Sequence, residues 1–275
     1  MDRNNNNNGR YTSRMTYTVL AHCASSGETG VGITTASIAF GGCGPTYTLA
    51  GDIVVSQAYW RAEDGLLAAR HLGAGSPWRD AMHELRNADT HLQYRQLGAI
   101  MVDGECHGFT GDQCRGHAGH RIGCNSEGDS ALVMGNGLCG VEVLEAMLRA
   151  CLVSRPGFSL AERLLCSLEA GRDAGGQGAG ERHVAERSAK LRVNGGTSVS
   201  DPAAPVLDLQ VDAHPTAVEE LRRLHTCCIP TLAYNALRSV DPPGTPSWGE
   251  WGEAHPEAAG ALPPLMAPLG SKSRL

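Results

Sequence analysis

Thr16 directly follows Met15 at the head of the run Met15-Thr16-Tyr17-Thr18-Val19-Leu20-Ala21. A threonine that begins a working chain carries a free α-amine beside its hydroxyl. An α-amine titrates near ~8, so at neutral pH a useful fraction can take the proton from its own Oγ and make it a nucleophile. Inside a strand, the same threonine is an ordinary strand former. A second constellation, Cys114-x-x-His117-x-x-His120-x-x-x-Cys124, has the residue types of a Cys₂His₂ zinc site. Its ligands crowd into one short stretch with no intervening finger, and a glycine-rich loop with one working histidine fits that spacing better. No metal and no cofactor is expected. Ser37, Ser56-Gln57 and Gly135-Asn136 fall at or near expected strand ends, where hydroxyl and amide groups build oxyanion pockets or plain turns. Asp212-x-His214-Pro215 reads as a helix-entry turn.

The elements that must position these residues follow from periodicity. Thr16, Thr18 and Leu20 alternate with Tyr17, Val19 and Ala21, a strand, and Ser25–Gly30 turns the chain into a returning strand over Val31–Ala36. Ile53–Ala58 is a further strand. Helices are expected over Asp64–Leu72 and after Ser76-Pro77, with Ser76 as cap and proline in the first turn. Arg95–Val102, a turn at Asp103-Gly104, and Glu105–Thr110 form a hairpin. Residues 111–124 read as a loop, and Ser130–Asn136 as a strand entering a Gly-Asn corner. Helices are expected over Gly140–Val153 and Ser159–Ala170, the latter opened by a Ser159/Glu162 capping box. Strands over Ala185–Val193 and Val206–Val211 and a helix over Ala217–Leu224 complete the pattern. Hairpin-joined strands segregated from helical pairs give an α+β chain. Two facing sheets with helices outside, a four-layer αββα sandwich, fit that order.

Composition narrows the function class. With 23 Lys+Arg against 29 Asp+Glu in 275 residues, the net charge of −6 offers no basic face for nucleic acid or anionic lipid. No apolar run approaches the ~18 residues of a membrane span. The N-terminus lacks the apolar core of a signal peptide, which points to the cytoplasm, and the ten cysteines are expected as free thiols. The domain is expected over residues 15–228. Residues 1–14, with their Asn run, are read as a disordered extension, as a start placed before the true initiator Met15, or as a segment removed by self-processing. Residues 229–275 are read as a proline-rich disordered tail. A homodimer is the default assembly.

Several blocks, in order, resemble domain of unknown function 1028 (DUF1028). They are Met15-Thr-Tyr-Thr-Val-Leu-Ala21, Gly27-Glu-Thr-Gly-Val-Gly-Ile33, Arg95-Gln-Leu-Gly98, Thr110-Gly-x-x-Cys114 with Ala118-Gly-His120, Val133-Met-Gly-Asn136, Leu160-Ala-Glu-Arg-Leu-Leu165 and Asp208-Leu-x-Val-Asp-x-His-Pro215. That family is similar in fold to the N-terminal nucleophile (Ntn) hydrolases, which implies an Ntn-hydrolase-like αββα sandwich. It also implies hydrolysis of a small amide or short peptide-like substrate. Carried onto this chain, the resemblance makes Thr16 the nucleophile and base and Asn136 an oxyanion donor. Ser37, Ser56, Gln57, Thr110 and His120 would surround the substrate. A non-catalytic ligand-binding protein on the same fold is the alternative.

Overall fold

The structure, a computed structural model, describes residues 15–153, 156–179, 182–195 and 201–261; the N-terminal extension lies outside them. The opening hairpin forms from β1 (Thr16–His22) and β2 (Thr29–Thr35), with Thr16 opposite Thr35 and His22 opposite Thr29. Next come β3 (Pro45–Tyr47), β4 (Ile53–Ala58), helices α1 (Ala62–Gly73) and α2 (Trp78–Ala88), β5 (Arg95–Ile100), β6 (Cys106–Thr110), β7 (His117–Cys124) and β8 (Ser130–Leu138). Helices α3 (Glu142–Leu152) and α4 (Leu160–Asp173) follow, then a short ribbon of β9 (Gly178–Ala179) and β10 (Arg182–His183). After it come β11 (Ser188–Asn194), β12 (Pro205–Val211) and α5 (Ala217–Cys228). Strands β3 to β6 pair in sequence order into a four-stranded antiparallel sheet. The larger sheet has the order β12-β11-β2-β1-β8-β7, also antiparallel. This is an α+β chain with two antiparallel sheets and helices.

The period-2 pattern decides what each strand buries. Ile53, Val55 and Ile100 of the smaller sheet pack with Leu20, Val31, Ile33, Leu132 and Met134 of the larger one. The alternate residues Val54, Leu97 and Ala99 pack with Leu67, Ala68, Leu72, Met82 and Leu85 of α1 and α2. Helix α4 lies against β1, β2 and β11, and α3 against β7 and β8. Gly30 lets α4 approach closely, because a Cβ there would stand 2.5 Å from Leu164 Cδ1. Ser159 caps α4 by accepting from the Glu162 amide at 3.2 Å, one of the two bonds of the expected capping box.

Several expectations need correction. Residues 117–124 are a strand, β7, not loop. It is an edge strand with mostly half-exposed or exposed side chains, so its sequence carries no apolar alternation to read. Asn136 lies within β8, which runs on to Leu138, not at a corner. Pro77 is itself the residue before α2, and among the described residues no side chain caps that helix. Residues 229–261 carry a 3₁₀ turn (Ile229–Thr231) and helices α6 (Leu232–Val240), α7 (Trp248–Ala254) and α8 (Pro256–Ala261). Their prolines stand between helices or in a first turn, where a missing N–H costs nothing, and Ser247 with Glu250 forms a capping box opening α7. Tyr234, Trp248 and Trp251 pack ring against ring within this segment.

The chain divides into two compact units, one ending at Leu221 and one beginning at Arg222. Among the described residues none of the ten cysteines is in a disulfide, and no helix is long and apolar enough to cross a membrane.

Candidate active site at the head of the first strand

In an antiparallel sheet directly opposed residues share a face. The registers Ser188↔Thr35, Thr35↔Thr16 and Thr16↔Asn136 therefore set four polar side chains in one row across β11, β2, β1 and β8. The row is on the face that carries Leu20 and Leu132, towards the smaller sheet. All four residues are buried. Thr16 Oγ1 donates to Thr35 Oγ1 at 3.1 Å. Thr35 Oγ1 in turn donates to the Met15 carbonyl at 2.6 Å and accepts from the Ser37 amide at 3.1 Å. The Ala36 amide also donates to the Met15 carbonyl, at 3.1 Å, and to Gln177 Oε1, at 2.9 Å. Two donors thus converge on the carbonyl of the bond that joins Met15 to Thr16. Thr16 is 3% and Met15 5% exposed, so that bond is closed from solvent.

A second polar chain crosses between the sheets. Thr18 Oγ1 donates to Gln57 Oε1 at 2.6 Å, and Gln57 Nε2 donates to Gln96 Oε1 at 2.6 Å. Gln96 Oε1 also accepts from Asn136 Nδ2 at 3.2 Å. Gln96 Nε2 reaches Thr110 Oγ1 at 2.9 Å and the carbonyls of Gly119 and Gly135 at 2.9 and 3.0 Å. Thr110 Oγ1 sits 2.9 Å from His120 Nδ1. The Thr110 hydroxyl donates to this nitrogen or accepts from it according to the imidazole tautomer. Burial, and then the charge of Arg121, lower the His120 pKa, so the ring is neutral at pH 7. Thr110 and His120 also line an open groove of about 540 Å³ together with Asp112, Cys114, Gly116 and Arg121.

The structure thus brings Thr16, Ser37 and Asn136 together at the head of β1. It links Gln57, Thr110 and His120 to Asn136 through Gln96. Ser56 is the exception: it points to the opposite face of β4, where its hydroxyl donates weakly to the Arg61 carbonyl at 3.4 Å and Gly65 of α1 packs nearby. Adjacent strand residues face opposite ways, so Ser56 and Gln57 could never share a site. Ser56→Ala is expected to lower stability by no more than about 1 kcal/mol in urea unfolding, and to leave the Thr18–Gln57–Gln96 chain intact. Among the described residues no group of three His, Cys, Asp or Glu side chains is placed to hold a metal ion. Cys114, His117, His120 and Cys124 share no centre.

Sequence reading missed Thr35, Ala36, Thr18, Gln96 and Gln177. Counting the hairpin register outward from its turn would have set Thr35 opposite Thr16. The same count sets Ala36 beside Met15. Gln96 carries no such signal, because only the stacking of the sheets brings it in, and Gln177 arrives on a segment that bridges the end of β8.

A buried charged cluster holds the ends of β4 and β5 that carry Gln57 and Gln96. Arg95 Nε donates to Asp89 at 2.9 Å and its guanidinium to the Tyr59 carbonyl. Arg61 pairs with Asp64 at 3.1 Å. Burial and the neighbouring Asp89 carboxylate raise the Asp64 pKa to about 6 against the pull of Arg61 and Arg95. Asp89 is held below the usual carboxylate range by its bonds to Arg95 and the His91 amide, which outweigh burial. A raised carboxyl pKa favours the fold while protonated, and that contribution is lost as pH rises from about 4 through 6. Asp64→Asn copies the protonated form. Its stability relative to the parent is expected to grow by on the order of 3 kcal/mol between pH 4 and pH 8, read by urea unfolding at both values.

The family model described as a family of unknown function (DUF1028) matches residues 16–221. Among solved structures, protein SPO2555 from Silicibacter pomeroyi, described as family-model DUF1028, is 25% identical with a TM-score of 0.64. The match covers 86% of this chain and 89% of that one. No curated protein matches.

Proposed function

This chain belongs to DUF1028, and on that premise we propose that it is an amidohydrolase of the N-terminal nucleophile type, with the two sheets and flanking helices arranged as a four-layer αββα sandwich. The substrate is a small amide or peptide-like compound, and Thr16 is the nucleophile once it heads the chain. The observation that carries this reading is the Met15 carbonyl, held by the Thr35 hydroxyl at 2.6 Å and the Ala36 amide at 3.1 Å beside the Thr16 hydroxyl. Donors aimed at a carbonyl oxygen next to a nucleophile are what stabilises a tetrahedral oxyanion.

With Thr16 first, its neutral α-amine takes the Oγ proton as Oγ bonds to the substrate carbonyl carbon. The oxygen becomes an oxyanion facing Thr35 and Ala36. Collapse breaks the carbon–nitrogen bond, and the ammonium returns the proton to the leaving amine. Water, deprotonated by the same amine, then splits the Thr16 ester and releases the acid. In this scheme Asn136 stands beside Thr16 as a further oxyanion donor, with one of its two amide hydrogens on Gln96. Gln57, Thr110 and His120 form the polar floor on the substrate side, and Ser37 orients Thr35.

Intact-mass measurement of the protein from its natural host is expected to give a chain beginning at Thr16. That chain should hydrolyse simple aminoacyl anilides, whereas the chain retaining Met15 should not. An uncut N-terminus with no turnover would sink the proposal. The closure of Thr16 beneath Met15 favours a second reading, a non-catalytic ligand-binding protein on this fold, and the same measurement separates the two.

A further inference from the structure

Resting on that reading, we infer that the place Met15 fills is the acyl site of the Thr16 centre, and that the site selects amides whose acyl side chain is unbranched and methionine-sized. The ester that forms when Thr16 Oγ takes a substrate's acyl group has the same connectivity as an ester between the Met15 carbonyl and Thr16 Oγ. The acyl carbonyl of a substrate therefore takes the position of the Met15 carbonyl, under the Thr35 hydroxyl and Ala36 amide.

The side chain is specified by what it lies on. Met15 is 5% exposed and runs along Gly137: a Cβ built on Gly137 would stand 2.5 Å from Met15 Cγ, 3.1 Å from Cβ and 3.3 Å from Sδ. Gly137 has φ +63°, and behind it Gly116, at φ +67°, would put a Cβ 2.9 Å from Gly137 Cα. The wall is therefore bare backbone held by two left-handed glycines. The first three side-chain atoms lie flat along this wall, and a branch at Cβ or Cγ directed at Gly137 meets main chain.

Part of the lining is held by partners other than Met15. Ala36 retains Gln177 Oε1 as acceptor at 2.9 Å when the Met15 carbonyl leaves, while the Thr35 hydroxyl is freed for an incoming carbonyl. Among the described residues, Gln177 Nε2 and Ser188 Oγ are buried without hydrogen-bond partners beside this row. Two orphaned polar groups there fit a site built to receive polar atoms of a ligand.

Two experiments test this. In the full chain, Met15→Gly should lower Tm, and ethyl methyl sulfide, the missing side chain as a free molecule, should raise it again while leaving the parent unmoved. In that background Gly137→Ala should cost less than it does in the parent, because its methyl enters the vacated slot. In the chain opened at Thr16, methionyl and norleucyl anilides should be hydrolysed at least 10-fold better, in kcat/KM, than valyl or isoleucyl anilides. Valyl turnover equal to methionyl, or no response of Met15→Gly to the sulfide, overturns the inference. Absence of all turnover overturns the Thr16 reading instead, and the sulfide arm still decides whether the slot exists.

Discussion

Replacing Thr16 by Ala in the chain that begins at this residue is expected to lower kcat by at least roughly 10³-fold, the scale on which loss of a nucleophile is felt. Thr16→Ser should stay within about 10-fold, because it keeps both the hydroxyl and the α-amine that activates it. The fold should be indifferent to either change. Among the described residues the Thr16 hydroxyl bonds to Thr35 alone, and Thr35 keeps its bond from the Ser37 amide whichever side chain stands opposite. Equal Tm values for the three proteins would therefore assign the rate loss to chemistry. The pH profile gives a second readout. The amine must be neutral to accept the hydroxyl proton, so kcat/KM should rise with pH to a plateau above the amine pKa of about 8. Acetylating that amine should remove activity as completely as Thr16→Ala. Turnover that survives either change would show that hydrolysis, if present, runs elsewhere on the molecule.

The largest loss of stability is expected from Gln96→Leu. Gln96 is fully buried, and its amide is where the two sheets exchange hydrogen bonds: Gln57 and Asn136 donate to it, and its two amide hydrogens are shared among Thr110 and main-chain carbonyls of β7 and β8. An apolar replacement of similar size leaves several of these groups buried and unpartnered. At about 1–3 kcal/mol for each such group, the total is on the order of 4 kcal/mol, a large part of what holds a domain folded. Gln96→Glu refines the test. A carboxylate accepts from Gln57 and Asn136 but cannot donate to Thr110, and its charge is costly in this place. Its pKa should rise, so this variant should be less stable at pH 8 than at pH 5, where the carboxyl holds a proton. Urea unfolding of both variants, with the parent as reference, measures the effect. A Gln96→Leu protein within 1 kcal/mol of the parent would show that the network contributes little.

The family, the opening hairpin and most of the helices could be read from the sequence because their signals are local. Alternation in Thr16–Ala21, the strand-forming run Ile53–Ala58, the Ser159 cap and the Asp103-Gly104 turn each depend on residues a few positions apart. The same local reading failed at β7, where an edge strand of glycine, histidine and cysteine carries no apolar period, and in residues 229–261, where prolines punctuate helices instead of preventing them. It also fails at Ser56, which stands next to Gln57 in sequence although neighbours along a strand face opposite ways.

What only the tertiary structure decided is which of these polar residues meet. Thr35, Gln96 and Gln177 lie 19, 80 and 161 positions from Thr16. They reach its surroundings through strand register, the stacking of one sheet on the other, and a chain segment that bridges the end of β8. Such contacts depend on side-chain packing between distant elements. No periodicity along the chain encodes them.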